Sequence, residues 1–355
     1  MNRFAQIHLL TAYPPANLNR DDLGRPKTAR MGGAERLRVS SQSLKRAWRT
    51  SAVFQEALAG HVGKRTKELG IGIYERFTES GVDAKKAREW TKLIAATFGK
   101  LKASKKDKPL NDLEIEQLAH FSPVEIAAVD ALVAKLAEEK RAPTEAELEI
   151  LRKNHQSADI ALFGRMLAAA PSFNVEAAAQ VAHAVTVHKV AVEDDFFTAV
   201  DDLNPRDEDL GAGHMGITEF GAGLFYLYIC IDRALLVENL KGDKDLASQA
   251  IAALVEAAAT VAPTGKQASF GSRARASYVF CETGDAQPRS LVSAFLKPVE
   301  GQDQFSDAVE SLEKLVKAFD QAYGDGASAT AKINVAAGTG SLKEVIACAS
   351  ELGDD

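Results

Sequence analysis

A short apolar strand, Leu37 to Val39, runs directly into the polar cluster Ser40-Ser41-Gln42-Ser43, and a basic helix begins there. That order demands a mixed sheet-and-helix fold. It also gathers backbone N–H groups, hydroxyls and an amide at a helix N-terminus, where the helix dipole favours an anion. Lys45 and Arg49 stand four apart and share one helical face, with Arg46 alongside. The first fifty residues hold ten Lys or Arg (Arg3, Arg20, Arg25, Lys27, Arg30, Arg36, Arg38, Lys45, Arg46, Arg49) against three acids (Asp21, Asp22, Glu35). The whole chain has a formal net charge of −6, so the rest of it is strongly acidic. Charge segregated in this way points to one polyanion-binding surface on an acidic body. The plain rival is a solvated basic helix face.

A length of 355 residues fits two domains, or one domain with a large insertion, and 46% hydrophobic content is ample for a core. Cys230, Cys281 and Cys348 are too scattered for a zinc site or a disulfide framework, which fits a reducing compartment. The start, Met1-Asn-Arg-Phe-Ala-Gln-Ile-His8, lacks a secretory h-region, and Val175 to Val192 is interrupted by Glu176, Gln180, His183, His188 and Lys189. The expectation is a soluble, cytoplasmic protein with no membrane partner.

Along the chain, Phe4–Leu10 is expected as a first strand, followed by a polar loop from Pro14 to Gly33, and a helix from about Ser43 to Leu58. From Gly60 to Ala182 helix is expected after helix. Asn111-Asp-Leu-Glu114, Ser122-Pro-Val-Glu125 and Thr144-Glu-Ala-Glu147 each read as a capping box there, and Lys100–Lys108 as a basic loop. Phe196–Val200 and Gly223–Ile231 read as the strands of a long hairpin, with a turn at Asn204–Asp207 and a loop at Gly211–Gly216. Its limbs carry Asp194, Asp195, Asp201, Asp202, Asp207, Glu208 and Asp209. Asp245 is expected to cap an Ala-rich helix, and Phe305–Tyr323 to form a final amphipathic helix before a frayed helical tail. A second Gly/Ser/Arg loop, Thr264–Arg275, leads to a strand at Ser277–Cys281.

Catalytic signatures are sparse. Asp21-Asp22 could bind a divalent metal, but loop hydrogen bonding is the commoner role for such a pair. His183 and His188, five apart on an expected helix, would face different ways and make a poor metal pair. Gly32-Gly33 and Gly211-Ala-Gly213 lie in no Walker or dinucleotide pattern, and there is no Gly-x-Ser-x-Gly elbow. No cofactor is called for. In Phe163-Gly-Arg-Met166, Gly164 permits close backbone approach, Arg165 offers a phosphate fork and Met166 a flexible apolar probe. Lys266, Arg273 and Arg275 could touch phosphates or be solvated.

Leu18-Asn-Arg-Asp-Asp22, Ser40-Ser-Gln-Ser-Leu-Lys-Arg46, Asp159-Ile-Ala-Leu-Phe-Gly-Arg-Met166, Phe197-Thr-Ala-Val-Asp-Asp-Leu203 and Glu219-Phe220 occur in that order. With them the chain resembles the CasC family, the repeated backbone subunits of the type I-E CRISPR surveillance complex, Cascade. The resemblance runs from Met1 to about residue 280 and is loose thereafter. It implies a hand-shaped α+β subunit. An RNA-recognition-motif-like (ferredoxin-like) palm would come from residues 1–59, 182–190 and 229–355, helical fingers from 60–181 and a β-hairpin thumb from 191–228. Several copies would line one CRISPR RNA, kink it at intervals and display bases for pairing with protospacer DNA. They would work beside the large, small, guide-processing endonuclease and 5′-handle-binding subunits.

The resemblance assigns RNA contacts to Arg20, Lys27, Ser40, Gln42, Lys45, Arg46, Arg49, Gly164, Arg165, Met166, Thr198, Met215 and Lys266. Met215 stands where the family usually has Leu. No catalytic residue or metal is implied; the rival class is a nuclease using Asp21 or Asp22, after related backbone subunits that cut RNA. The first strand lacks the aromatic signature on which such folds stack bases, so the expected grip is on phosphates.

Overall fold

The computed structural model describes residues 2–151, 155–199, 214–324 and 326–353. In chain order its elements are β1 (Phe4–Ala16), β2 (Thr28–Met31), β3 (Ala34–Val39), α1 (Ser41–Arg49), α2 (Ala52–Ala57), β4 (Lys64–Thr66), α3 (Leu69–Glu79), α4 (Ala84–Ala96), β5 (Ala119–Phe121), α5 (Pro123–Glu139) and α6 (Ala158–Phe163). There follow β6 (Ala179–Val181), β7 (Ala184–Thr186), β8 (Glu193–Ala199), β9 (His214–Asp232), α7 (Arg233–Asn239), α8 (Lys244–Thr260), α9 (Gln267–Phe270), β10 (Tyr278–Gly284), α10 (Gln304–Tyr323), β11 (Ala329–Asn334) and α11 (Leu342–Ser350). The chain forms two compact units. One holds Met1–Phe54, Gln180–Ile231 and Ile251–Asp355; the other holds Gln55–Ala179 and Asp232–Ala250.

The first unit is built on a sheet of order β11-β10-β1-β9-β7-β3-β2, with β6 and β8 also pairing with β9. The registers of β10 on β1, β11 on β10, β3 on β2, β7 on β3, β9 on β7 and β9 on β8 are all antiparallel. β1 is buried without interruption from Phe4 to Thr11, the pattern of a strand covered on both faces. Leu10, Leu224, Tyr226, Tyr278 and Phe280 pack with Leu291, Phe295 and, from α10, Ala308, Val309 and Leu312. In the second unit α3, α4 and α5 enclose Ile73, Phe77, Trp90, Ile94, Phe98, Val129, Val133 and Leu136, beside the two-stranded sheet of β4 and β5.

Several local expectations change. β1 extends to Ala16, and the polar segment after it contains β2, which pairs with β3 as a hairpin through Gly32-Gly33 at φ 58° and 77°. A Cβ on Gly32 would collide with the Leu296 carbonyl, so glycine is required there for space as well as conformation. The helix expected from Ser43 to Leu58 is two helices. The Thr50 hydroxyl donates back to the Arg46 carbonyl at 2.8 Å, and Ser51 Oγ accepts from the Phe54 amide at 3.3 Å, ending α1 and starting α2.

The box at Ser122 forms in full, with Ser122 Oγ accepting from Glu125 N and Glu125 Oε2 from Ser122 N. Thr144 and Glu147 exchange the same pair of bonds over a single 3₁₀ turn. Asn111 caps nothing: its amide donates to the Ala103 carbonyl at 2.8 Å. Asp243, not Asp245, caps α8 through the Leu246 amide. His183 and His188 flank β7 rather than riding a helix, and His214–Gly216 continue β9 rather than a loop. Residues 200–213, including the expected turn at Asn204 and the acids Asp201, Asp202, Asp207, Glu208 and Asp209, lie outside the described residues. The tail after α10 is not a frayed helix. It adds β11 to the sheet edge and ends in α11, capped by Ser341.

No helix among the described residues is long and apolar enough to cross a membrane.

Candidate nucleic-acid interface

α1 buries Leu44, Ala47 and Trp48 and exposes Gln42 and Arg46, with Lys45 and Arg49 half-buried. Its first turn carries no acid. Ser40 caps it from an extended conformation, its Oγ accepting from Ser43 N at 3.3 Å. Partial burial pulls the Lys45 ammonium below its ordinary pKa.

The loop after β1 is held against this helix start. Asn19 Oδ1 accepts from Ser40 N at 2.9 Å, Lys27 N donates to the Asn19 carbonyl at 2.8 Å, and Arg38 N donates to the Lys27 carbonyl at 2.8 Å. Asn17 Nδ2 donates to the Gly24 and Glu219 carbonyls, both at 2.9 Å, tying the loop to β9. Arg20 is exposed and Lys27 half-exposed on this loop. A further loop joins them: a Cβ on Gly265 would run into the Leu18 carbonyl, which brings exposed Lys266 beside the same segment. The Phe270 ring, at the end of α9, lies 6.1 Å from that of Phe220. Thus Arg20, Lys27, Ser40, the α1 cations and Lys266 all belong to one anchored neighbourhood of the first unit.

Two residues of that neighbourhood escaped the sequence reading. Asn19 carries no signal in isolation. Arg38 Nη1 lies 2.8 Å from His183 Nδ1, and burial, Arg38 and Lys27 together lower the His183 pKa, so its ring accepts from the guanidinium.

Not every cation is presented. Arg36 is fully buried and donates to the Thr186 and Phe295 carbonyls at 3.0 and 2.9 Å. Arg25 Nε meets Glu219 Oε2 at 2.6 Å. Arg165, expected as a phosphate fork, is instead enclosed in the second unit. Its Nη1 donates to Glu125 Oε1 and Oε2 at 2.9 and 2.7 Å, and its Nη2 to the Phe173 carbonyl at 3.1 Å. Burial requires such a charge to be paired, and here the partner is internal. Met166, next in sequence, is 81% exposed, and Gly164 takes φ 79° as the C-cap of α6.

Thr198 is exposed on β8 and stands opposite Met215 in the β8–β9 register, beside the exposed pair Phe196 and Ile217. Asp21 Oδ1 accepts from Leu23 N at 3.0 Å and Arg25 N at 2.9 Å, so this carboxylate shapes its own loop, while Asp22 is exposed. Among the described residues no cluster of three or more His, Cys, Asp or Glu could hold a metal ion.

The family described as CT1975-like protein matches residues 5–351. A chain solved in a "CRISPR RNA-guided surveillance complex, pre-nicking" is 32% identical, with a TM-score of 0.85, over 98% of this chain and 100% of that one. A chain from a "CRISPR RNA-guided surveillance complex" is 28% identical, with a TM-score of 0.73, over 96% and 94% respectively. No curated protein matches. The resemblance read from the motifs is borne out.

Proposed function

The chain belongs to the CT1975-like protein family, and from that premise we propose that it is a non-catalytic CRISPR RNA-binding backbone subunit of a type I-E Cascade complex. Several copies polymerise along the guide spacer. Each grips guide phosphates with α1, Arg20, Lys27 and Lys266. Met166 on the fingers and Met215 on the thumb separate bases at regular intervals, and Thr198 is a further thumb contact with the RNA. The displayed runs pair with target DNA, so sequence is read by base pairing and the protein holds shape. Its partners are the guide, the target strand, further copies of itself and the other Cascade subunits, in the cytoplasm.

The observation that carries this reading is the gathering of Lys27, Ser40 and Lys266 around the loop that Asn19 fastens to the start of α1. Cations and helix N–H groups so arranged contact a phosphate chain without reading base edges. The order β10-β1-β9-β7, with α1 between β1 and β7 and α8 between β9 and β10, supports an RNA-recognition-motif-like palm. We take it as residues 1–59, 182–190 and 229–355, although Asp232–Ala250 belong to the second compact unit. The helices of 60–181 suit the fingers, and the β8–β9 pairing suits a thumb at 191–228.

The test is electrophoretic binding to single-stranded RNAs of increasing length, with nuclease protection of the longest complex. A ladder of added protomers with periodic cleavage is expected. One weak, salt-erased shift at every length would sink the backbone role.

A further inference from the structure

Met166 is an apolar side chain that is mostly exposed, yet the residues on either side of it are tied by hydrogen bonds. Gly164 ends α6 at φ 79°, and a Cβ there would stand 3.0 Å from the Val175 carbonyl. Arg165 and Val175 exchange both backbone hydrogen bonds at 2.9 Å. Leu167, 4% exposed, donates its amide to Asn174 Oδ1 at 2.7 Å. Residues on both sides of Met166 are therefore pinned with their side chains inward, and Met166 is turned out at 81% exposure. It lines a cleft of about 290 Å³ together with Phe98, Lys100, Leu118 and Leu167.

The Arg165 guanidinium closes this arrangement from inside. One fork reaches Glu125 on α5, itself locked by the Ser122 capping box, and the other reaches the Phe173 carbonyl across the turn. We propose that Arg165 is a positioning residue: with Glu125 it clamps the turn that presents Met166 to the RNA, and it touches no phosphate itself. The proposal rests on the reading of Met166 as a base wedge. An unbranched Met is a poor wedge if its backbone can yield, because the side chain has three rotatable bonds to lose. A buried, bidentate clamp supplies the rigidity that the side chain lacks. Lysine is a poor replacement, since its compact ammonium lacks the planar fork that reaches Glu125 from Nη1 and the Phe173 carbonyl from Nη2.

The full chain is assembled on a guide RNA bearing 2-aminopurine at successive positions, and fluorescence enhancement reports unstacked bases. Met166→Ala is expected to remove the enhancement at its periodic positions with RNA affinity and salt slope little changed. Arg165→Lys, checked for folding by circular dichroism, is expected to give the same loss. The double variant is expected to be no worse than either alone. Glu125→Gln, which keeps the capping acceptor but not the charge, repeats the test should Arg165→Lys not fold. If Arg165→Lys or Glu125→Gln keeps full enhancement, or if Arg165→Lys lowers the salt slope, the clamp is overturned. If Met166→Ala keeps the enhancement, the wedge reading itself fails, a result distinct from failure of the clamp.

Discussion

Asn19 Oδ1 accepts a hydrogen bond from the Ser40 backbone amide at 2.9 Å. Two motifs twenty-one residues apart thereby meet, and the loop that carries Arg20 and Lys27 is fixed at the N-terminus of the helix that carries Lys45 and Arg49.

Breaking that contact costs stability and RNA binding together. Asn19→Ala leaves a largely buried N–H without its acceptor, a loss of about 1–3 kcal/mol. Ser40→Ala removes the helix cap, a loss of about 1 kcal/mol. Thermal melts should show both, and both variants should bind single-stranded RNA more weakly than wild type. An unchanged RNA affinity in Asn19→Ala would separate the loop from the interface.

The α1 cations should act as phosphate contacts. Lys45→Ala or Arg49→Ala is expected to weaken binding to all RNA sequences alike, and to reduce the log–log salt slope by about 0.7 per lost contact. Filter binding between low and moderate salt checks this. A changed sequence preference at an unchanged slope would refute the assignment.

Acid should loosen the second unit through His155. Burial, reinforced by Arg165 and by Lys241 against the opposing pull of Glu125 and Asp159, lowers its pKa to about 4 from the ordinary 6.5. The unfolded chain therefore binds this proton first. The contribution is fully present above about pH 6.5 and is lost as the pH falls towards 4, a change of at most about 3 kcal/mol. His155 Nδ1 accepts from Ser157 N at 3.1 Å, so His155→Asn keeps an acceptor without the titration. Denaturant midpoints measured from pH 7 to pH 4 should fall less steeply in that variant.

Gly164→Ala should destabilise by about 1–3 kcal/mol for the backbone alone, because φ 79° with ψ 165° is a region that essentially only glycine adopts, with the crowding against the Val175 carbonyl in addition. Urea denaturation reads the loss. A neutral result would mean that the turn relaxes freely, contrary to the two hydrogen bonds between Arg165 and Val175.

Purified protein incubated with Mg²⁺ and RNA, free or complementary to the guide, should leave the RNA intact. Asp21→Ala should disturb the loop, because Leu23 N and Arg25 N lose their acceptor, and Asp22→Ala should change little. Cleavage abolished by either substitution would replace the scaffold with a nuclease.

The sequence alone determined what is local. Ser122 was legible as a cap because a cap is satisfied within three residues. The order of strand, polar cluster and helix around Ser40 followed from short-range patterning in the same way, whereas β8 pairs with His214–Phe220 and not with the expected return strand Gly223–Ile231. Tertiary structure decided which cations face a ligand and which hold the fold. Arg36 and Arg165 read in sequence like Arg46, yet the first two are buried on carbonyls and a carboxylate brought from other parts of the chain. It also decided β11, a weak segment that becomes a strand only because the edge of β10 is there to pair with it. A helix cap closes its hydrogen bond with its own neighbours, whereas a buried charge or an edge strand is defined by partners that the chain supplies only once it is folded.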